Sequence, residues 1–195
     1  MKQFLFGLFF CALVSQQLAA QPEKAAMCAG CHGASGVSMN PDWPSIAGQN
    51  ANYLAKQLRD YKEGKTRNAP IMSPLVAAFT DDDIRELAAY YASLPLPTGN
   101  TPTQYQARGE AIYRRGDVNK HITACIVCHG PKGTGNAQAG FPSLSGQQPA
   151  YTIQQLNAFK SKTRSNDLNS IMSDISHHMS QEDMIAVAHY LFGLH

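Results

Sequence analysis

The chain is poor in cysteine, with five in 195 residues, and four of those fall in two short segments. The fifth, Cys11, sits in an apolar leader, so the rest of the chain has none to spare for a disulfide or an extra thiolate. Dense Lys/Arg tracts are also missing, which argues against a nucleic-acid footprint. The apolar run Phe4 to Val14 is too short to span a bilayer as a permanent helix, and no later segment is apolar enough to cross one. No stretch alternates apolar and polar residues with a period of two, so an all-α fold is expected. Net charge is small as well. Past Lys2 the chain carries 15 basic and 14 acidic side chains. Residues 21–97 sum to −1 and residues 98–195 to +2, a mild dipole that suits docking to a protein partner.

What is present begins with the leader. Met1-Lys2, the run Phe4 to Val14 and the small residues Leu18-Ala19-Ala20 before Gln21 read as a secretory signal over residues 1–20. Cys11 would leave with it. The expected destination is the periplasm.

The two cysteine segments are Cys28-Ala29-Gly30-Cys31-His32 and Cys125-Ile126-Val127-Cys128-His129. Cys-x-x-Cys-His is the attachment signature of c-type haem. Two thiols three residues apart lie on one helical turn and can form thioethers along one haem edge, and the histidine then meets the iron from that side. A thioredoxin-like motif needs a βαβ setting that is absent here. A zinc site would draw four N or S ligands together, yet the motifs start 97 positions apart, each with its own histidine. Two covalent haem c groups are therefore expected, on Cys28, Cys31, Cys125 and Cys128, with His32 and His129 as axial ligands.

The chain is one unit written twice. Trp43-Pro44-Ser45 matches Phe141-Pro142-Ser143, Gly48-Gln49 matches Gly146-Gln147, Tyr53 matches Tyr151, and Gln57-Leu58 matches Gln155-Leu156. Ile71-Met72-Ser73 returns as Ile171-Met172-Ser173. The prolines and glycine of residues 95–102 mark a linker between domains at 21–94 and 103–195. Helices are expected over Tyr53–Lys62, Thr103–Arg115 and Tyr151–Lys160. Two more should start at Thr80-x-x-Asp83 and Ser180-x-x-Asp183, which carry N-terminal cap signals. Domains this small bury little apolar surface unaided, and a haem in each would complete the core.

A sixth ligand must recur in both copies. Met72 and Met172 do, 40 and 43 residues past their histidines, in segments read as loops, the first because Pro70 and Pro74 argue against a continuing helix. His/Met ligation favours electron transfer and raises the potential. In the second copy Met179, with His177 and His178 behind it, is a rival; Met184 belongs to a helical apolar stripe, and Met39 is too near His32. Pro44 and Pro142 are candidates to supply the carbonyls that orient the proximal imidazoles. Trp43 and Phe141 should pack near the haems. Tyr53, Tyr151, Arg67 and Arg164 are candidates for haem carboxylates, against surface solvation as the default for a charged side chain.

Taken together, these motifs resemble the dihaem cytochrome c4 family over nearly the whole chain, down to the C-terminal Gly-Leu-His. The resemblance implies two tandem class I cytochrome c domains, each wrapped around one covalent haem, with His32/Met72 and His129/Met172 on the two irons. It implies a periplasmic carrier, soluble or loosely held at the membrane, that shuttles single electrons between respiratory proteins such as a quinol-oxidising complex and a membrane-bound oxidase. No small-molecule substrate and no nucleic acid is expected, and the chain is not expected to be an enzyme. The alternatives are a dihaem redox enzyme (a peroxidase or sulfur-compound oxidoreductase) and a dedicated electron-transfer subunit of a dehydrogenase. One departure stands out: only Gln21 to Met27 precede the first haem cysteine, a short entry helix that would leave the first haem edge more exposed.

Overall fold

Helices alone form the framework of residues 21–195, the part that the structure, a computed structural model, describes. The export signal expected over 1–20 lies outside the described residues. The first half contains α1 (Ala25–His32), α2 (Ala51–Glu63), α3 (Met72–Val76) and α4 (Asp81–Ser93). The second contains α5 (Thr103–Arg115), α6 (Ile126–His129), α7 (Pro149–Lys160), α8 (Ile171–His178) and α9 (Gln181–Phe192). Among the described residues there is no sheet, only isolated bridges such as Arg67 with Arg164. None of the described helices is long and apolar enough to cross a membrane.

Local chemistry explains the boundaries. Thr80 and Ser180 both form capping boxes: each hydroxyl accepts from the backbone N–H of Asp83 or Asp183, whose carboxylate accepts the cap N–H in return. Gly64 ends α2 in the left-handed region, which costs a glycine nothing. The expected loops around the two methionines are corrected. Met72 opens α3, and Met172 is the second residue of α8. Pro74 is tolerated because it stands in the first turn, where the N–H it lacks has no intrahelical partner.

Each half encloses its own small core. In the first, Val76, Phe79, Ile84, Leu87 and Tyr91 pack with Ala25, and Tyr91 donates its hydroxyl to Ala25 O at 3.2 Å. In the second, Ile112 and Tyr113 of α5 pack against Met184, Val187 and Leu191 of α9. Gly109 permits that close crossing, since a Cβ there would lie 2.4 Å from Ala186 O. The first domain has no counterpart of α5 among the described residues; α1 begins at Ala25 and Met27 is 51% exposed. Residues 95–102 are not a loose tether. Leu96 packs over Gly48, Pro97 over Gly146, and Thr101 donates to Tyr190 O at 3.2 Å.

Asp183 ties the second domain's ends together. Its carboxylate is 3% exposed and receives Arg108 Nε at 3.0 Å and Lys120 Nζ at 2.7 Å. Burial opposes its ionisation, but hydrogen bonds from Lys120 and Arg108 outweigh that and hold the carboxyl well below the usual range. A depressed carboxyl stabilises the fold above its unfolded pKa and loses that contribution as pH falls. Asp183→Asn should therefore cost about 1–3 kcal/mol of stability at neutral pH, because Lys120 loses its anion and Arg108 is left with Asp117 alone. Denaturant melts across pH should show the difference from wild type shrinking as the solution becomes acidic.

Candidate haem sites

Both motifs sit where a helix ends against a returning loop. Cys28 and Cys31 share α1 with His32, and Cys125 precedes α6, which carries Cys128 and His129. Each imidazole is buried and donates Nδ1–H to a proline carbonyl. His32 reaches Pro44 O at 2.8 Å and His129 reaches Pro142 O at 2.9 Å, as the sequence suggested for those prolines. A carbonyl can only accept, so the proton is fixed on Nδ1 and the lone pair on Nε2. Burial lowers the pKa of both rings, partly opposed by those same hydrogen bonds, which favours the neutral imidazole that iron ligation would need. Burial also raises the Cys28 thiol, and pushes Cys125 up to about 12. All four cysteines are free of disulfides.

The two clefts open into one cavity of about 620 Å³. Cys28, Cys31, His32 and Met72 line one end, and Cys125, Cys128, His129 and Met172 the other. Trp43, Leu54, Leu75, Phe141, Leu156 and Ile175 supply apolar walls. Met179 also touches the cavity, but it is 2% exposed and belongs to the second core. It stands where the first copy has Phe79: the carbonyls of Phe79 and Met179 each accept a lysine ammonium, Lys62 and Lys160, at 2.6 Å. His177 and His178 are not among the residues lining the cavity, and Met39 is 94% exposed.

Arg67 and Arg164 depart from the expected surface default. They are 4% and 6% exposed and face each other across the domain boundary. Arg67 donates to Tyr151 Oη at 2.8 Å and Gln155 Oε1 at 3.2 Å, and also to Gln57. Arg164 donates to Tyr53 Oη at 2.9 Å, Gln57 Oε1 at 3.2 Å and Gln155 Oε1 at 2.8 Å. Each arginine thus holds the other domain's tyrosine. Tyr61 and Phe159 lie under the guanidiniums at 4.4 and 4.3 Å. Burial would raise the Tyr53 phenol, yet the charges of Arg164 and Arg67 bring it below the ordinary tyrosine value. Among the described residues neither arginine pairs with a carboxylate.

The glutamines of the repeated Gly-Gln pairs had no assigned role in the sequence. In the structure they exchange across the boundary. Gln147 Oε1 accepts Ser45 N–H at 2.9 Å, and its Nε2 donates to Ser45 O at 2.8 Å. Gln49 does the same to Ser143, at 2.8 Å for both bonds. The clue was legible only as a repeat, because the spacing does not reveal that each glutamine reads the other copy.

The donor set fits haem on each count. Free thiols stand beside a neutral imidazole with its Nε2 lone pair available, a thioether lies at each end of the cavity, and the walls are apolar. Two buried cations lack the anions that haem carboxylates would supply. Comparisons with known proteins agree. The cytochrome c family model matches residues 19–95 and again 106–194. A cytochrome c4 of Pseudomonas aeruginosa is 41% identical over 190 residues, covering 97% of this chain and 94% of its own. The crystal structure of reduced recombinant cytochrome c4 from Pseudomonas stutzeri superposes with a TM-score of 0.85 at 38% identity, covering 88% of this chain and 95% of that one. A thiosulfate dehydrogenase electron acceptor of Stutzerimonas stutzeri is 39% identical, covering 85% of this chain and 78% of its own.

Proposed function

The chain belongs to the cytochrome c family, as a two-domain protein of the dihaem cytochrome c4 kind, and on that premise we propose which residues serve its two haems and whom it serves. It binds two covalent haem c groups and transfers electrons. Cys28 and Cys31 anchor the first haem and Cys125 and Cys128 the second. His32 with Met72, and His129 with Met172, hold the irons. The observation that carries this reading is the duplicated geometry: each cavity end offers one neutral imidazole locked by a proline carbonyl and one methionine at the start of a helix. Met172 is preferred to Met179 because the first copy has Phe79 at the latter position, and phenylalanine cannot ligate.

Each bound haem supplies a one-electron Fe(III)/Fe(II) couple. The protein's part is to keep the imidazoles neutral, to present uncharged thioethers that raise the potential, and to exclude water with apolar walls. With His32 and Met72 holding one iron and His129 and Met172 the other, the protein would leave no open coordination site for a substrate, and electrons would pass between protein partners. Arg67, Arg164, Tyr53 and Tyr151 would receive the haem carboxylates, which would supply the missing counter-charge. The leader over 1–20 exports the chain to the periplasm, where it carries electrons from a quinol-oxidising complex towards a membrane-bound oxidase. A second reading has one specific support. Similarity to a thiosulfate dehydrogenase electron acceptor favours service as the acceptor of a sulfur-compound dehydrogenase, with unchanged chemistry in this chain.

Haem extraction assays on the holoprotein should give two haems per chain. Met72→Ala and Met172→Ala should each remove half of the methionine-to-iron charge-transfer absorbance, whereas Met179→Leu should leave it intact. Loss of the band in Met179→Leu would transfer the second ligand to that residue.

Removing one buried cation disfavours the more negative, reduced state. Arg67→Gln should therefore lower a reduction midpoint in spectroelectrochemical titration, and Arg67→Lys should restore most of it.

A further inference from the structure

The hydrogen bond that orients each imidazole and the glutamine clamp from the opposite domain meet on one peptide group. Pro44 C=O and Ser45 N–H belong to the same planar amide. The carbonyl accepts His32 Nδ1–H at 2.8 Å, and the N–H donates to Gln147 Oε1 at 2.9 Å. The second site repeats this with Pro142 O on His129 at 2.9 Å and Ser143 N–H on Gln49 Oε1 at 2.8 Å. Each glutamine oxygen is itself pinned at the start of a helix, by the N–H of Asn50 or Gln148 at 2.9 Å.

We propose that Gln147 is a positioning and tuning residue for the haem held by His32, and Gln49 for the haem held by His129, each acting across the domain boundary through this peptide. The proposal rests on the assignment of His32 and His129 as iron ligands. The physical basis is polarisation along a hydrogen-bonded chain. An amide whose N–H is engaged carries more negative charge on its oxygen and accepts more strongly. A stronger acceptor on Nδ1–H makes the imidazole a better donor to iron, which favours the oxidised state. The second bond of each clamp, from glutamine Nε2 to the serine carbonyl, holds the following peptide, so the serine is gripped on both sides and its N–H is kept aimed at the glutamine.

The crosswise pattern supplies the test. Redox titrations of the two-haem protein would be compared with Gln147→Leu and Gln49→Leu, the waves being assigned with Met72→His and Met172→His. Gln147→Leu should raise the midpoint of the first-domain haem alone, and Gln49→Leu that of the second-domain haem alone. In each variant the Nδ1–H resonance of the affected proximal histidine should move towards that of a weaker hydrogen bond. Equal shifts at both haems in either variant would indicate a general loosening of the domains and overturn the proposal. So would a fall in melting temperature with both midpoints and both Nδ1–H resonances unmoved. Wild-type protein with fewer than two haems, or Met→His variants that leave both waves in place, would instead indict the ligand assignment.

Discussion

The peptide group between Pro44 and Ser45, and its twin between Pro142 and Ser143, constrain the rest of the molecule. Each fixes a proximal imidazole on one side and a glutamine of the opposite domain on the other. With the histidines assigned to the irons as proposed, iron ligation and domain docking are not separate design problems here. The loop that returns from the Cys-x-x-Cys-His helix carries proline and serine in that order in both copies. Proline supplies a carbonyl without a competing donor of its own, and serine supplies the N–H that faces outward. Gly48 and Gly146 follow because their backbones enter the left-handed region while closing on α4 and α9 through Tyr91 O and Leu191 O.

Charge follows the same crosswise plan. Arg67 and Arg164 would be expensive to bury alone, yet each lies over an aromatic ring of its own domain and donates to a tyrosine of the other. The guanidinium fork suits this position, since it can serve glutamine, tyrosine and a carboxylate at once. The domain boundary thus buries a cluster of polar side chains, with the apolar cavity walls beside it.

Much of this was legible in the sequence. The motifs, the capping boxes at Thr80 and Ser180 and the helix over Thr103–Arg115 are local signals, and local signals survive folding. The first methionine segment reads as a loop because Pro70 and Pro74 look like helix breakers, yet Pro70 precedes α3 and Pro74 falls in its first turn, which accepts proline. The second, without a proline, shares that reading only through the repeat. The burial of the arginines was hidden for a different reason: a charged side chain reads as solvated unless its long-range partners are known. Gln49 and Gln147 announced a repeat and nothing more, because a contact spanning about a hundred residues leaves no periodicity to find. The copies also differ in ways only packing exposes. Ser176, fully buried and without a hydrogen-bond partner, stands where the first domain has Val76, so the second core tolerates a polar atom that the first does not.

The reciprocal clamp has a consequence for how such a chain holds together. Serine and glutamine occur in both copies, and each recognises its counterpart in the other, so the surface is self-complementary in the manner of an isologous twofold interface. Two separate domains of this kind would meet as a homodimer whose occupancy depended on concentration. Joined through residues 95–102, which pack against both halves, they meet at a fixed effective concentration. That makes the paired state a property of the molecule and removes its dependence on how much of the protein is present.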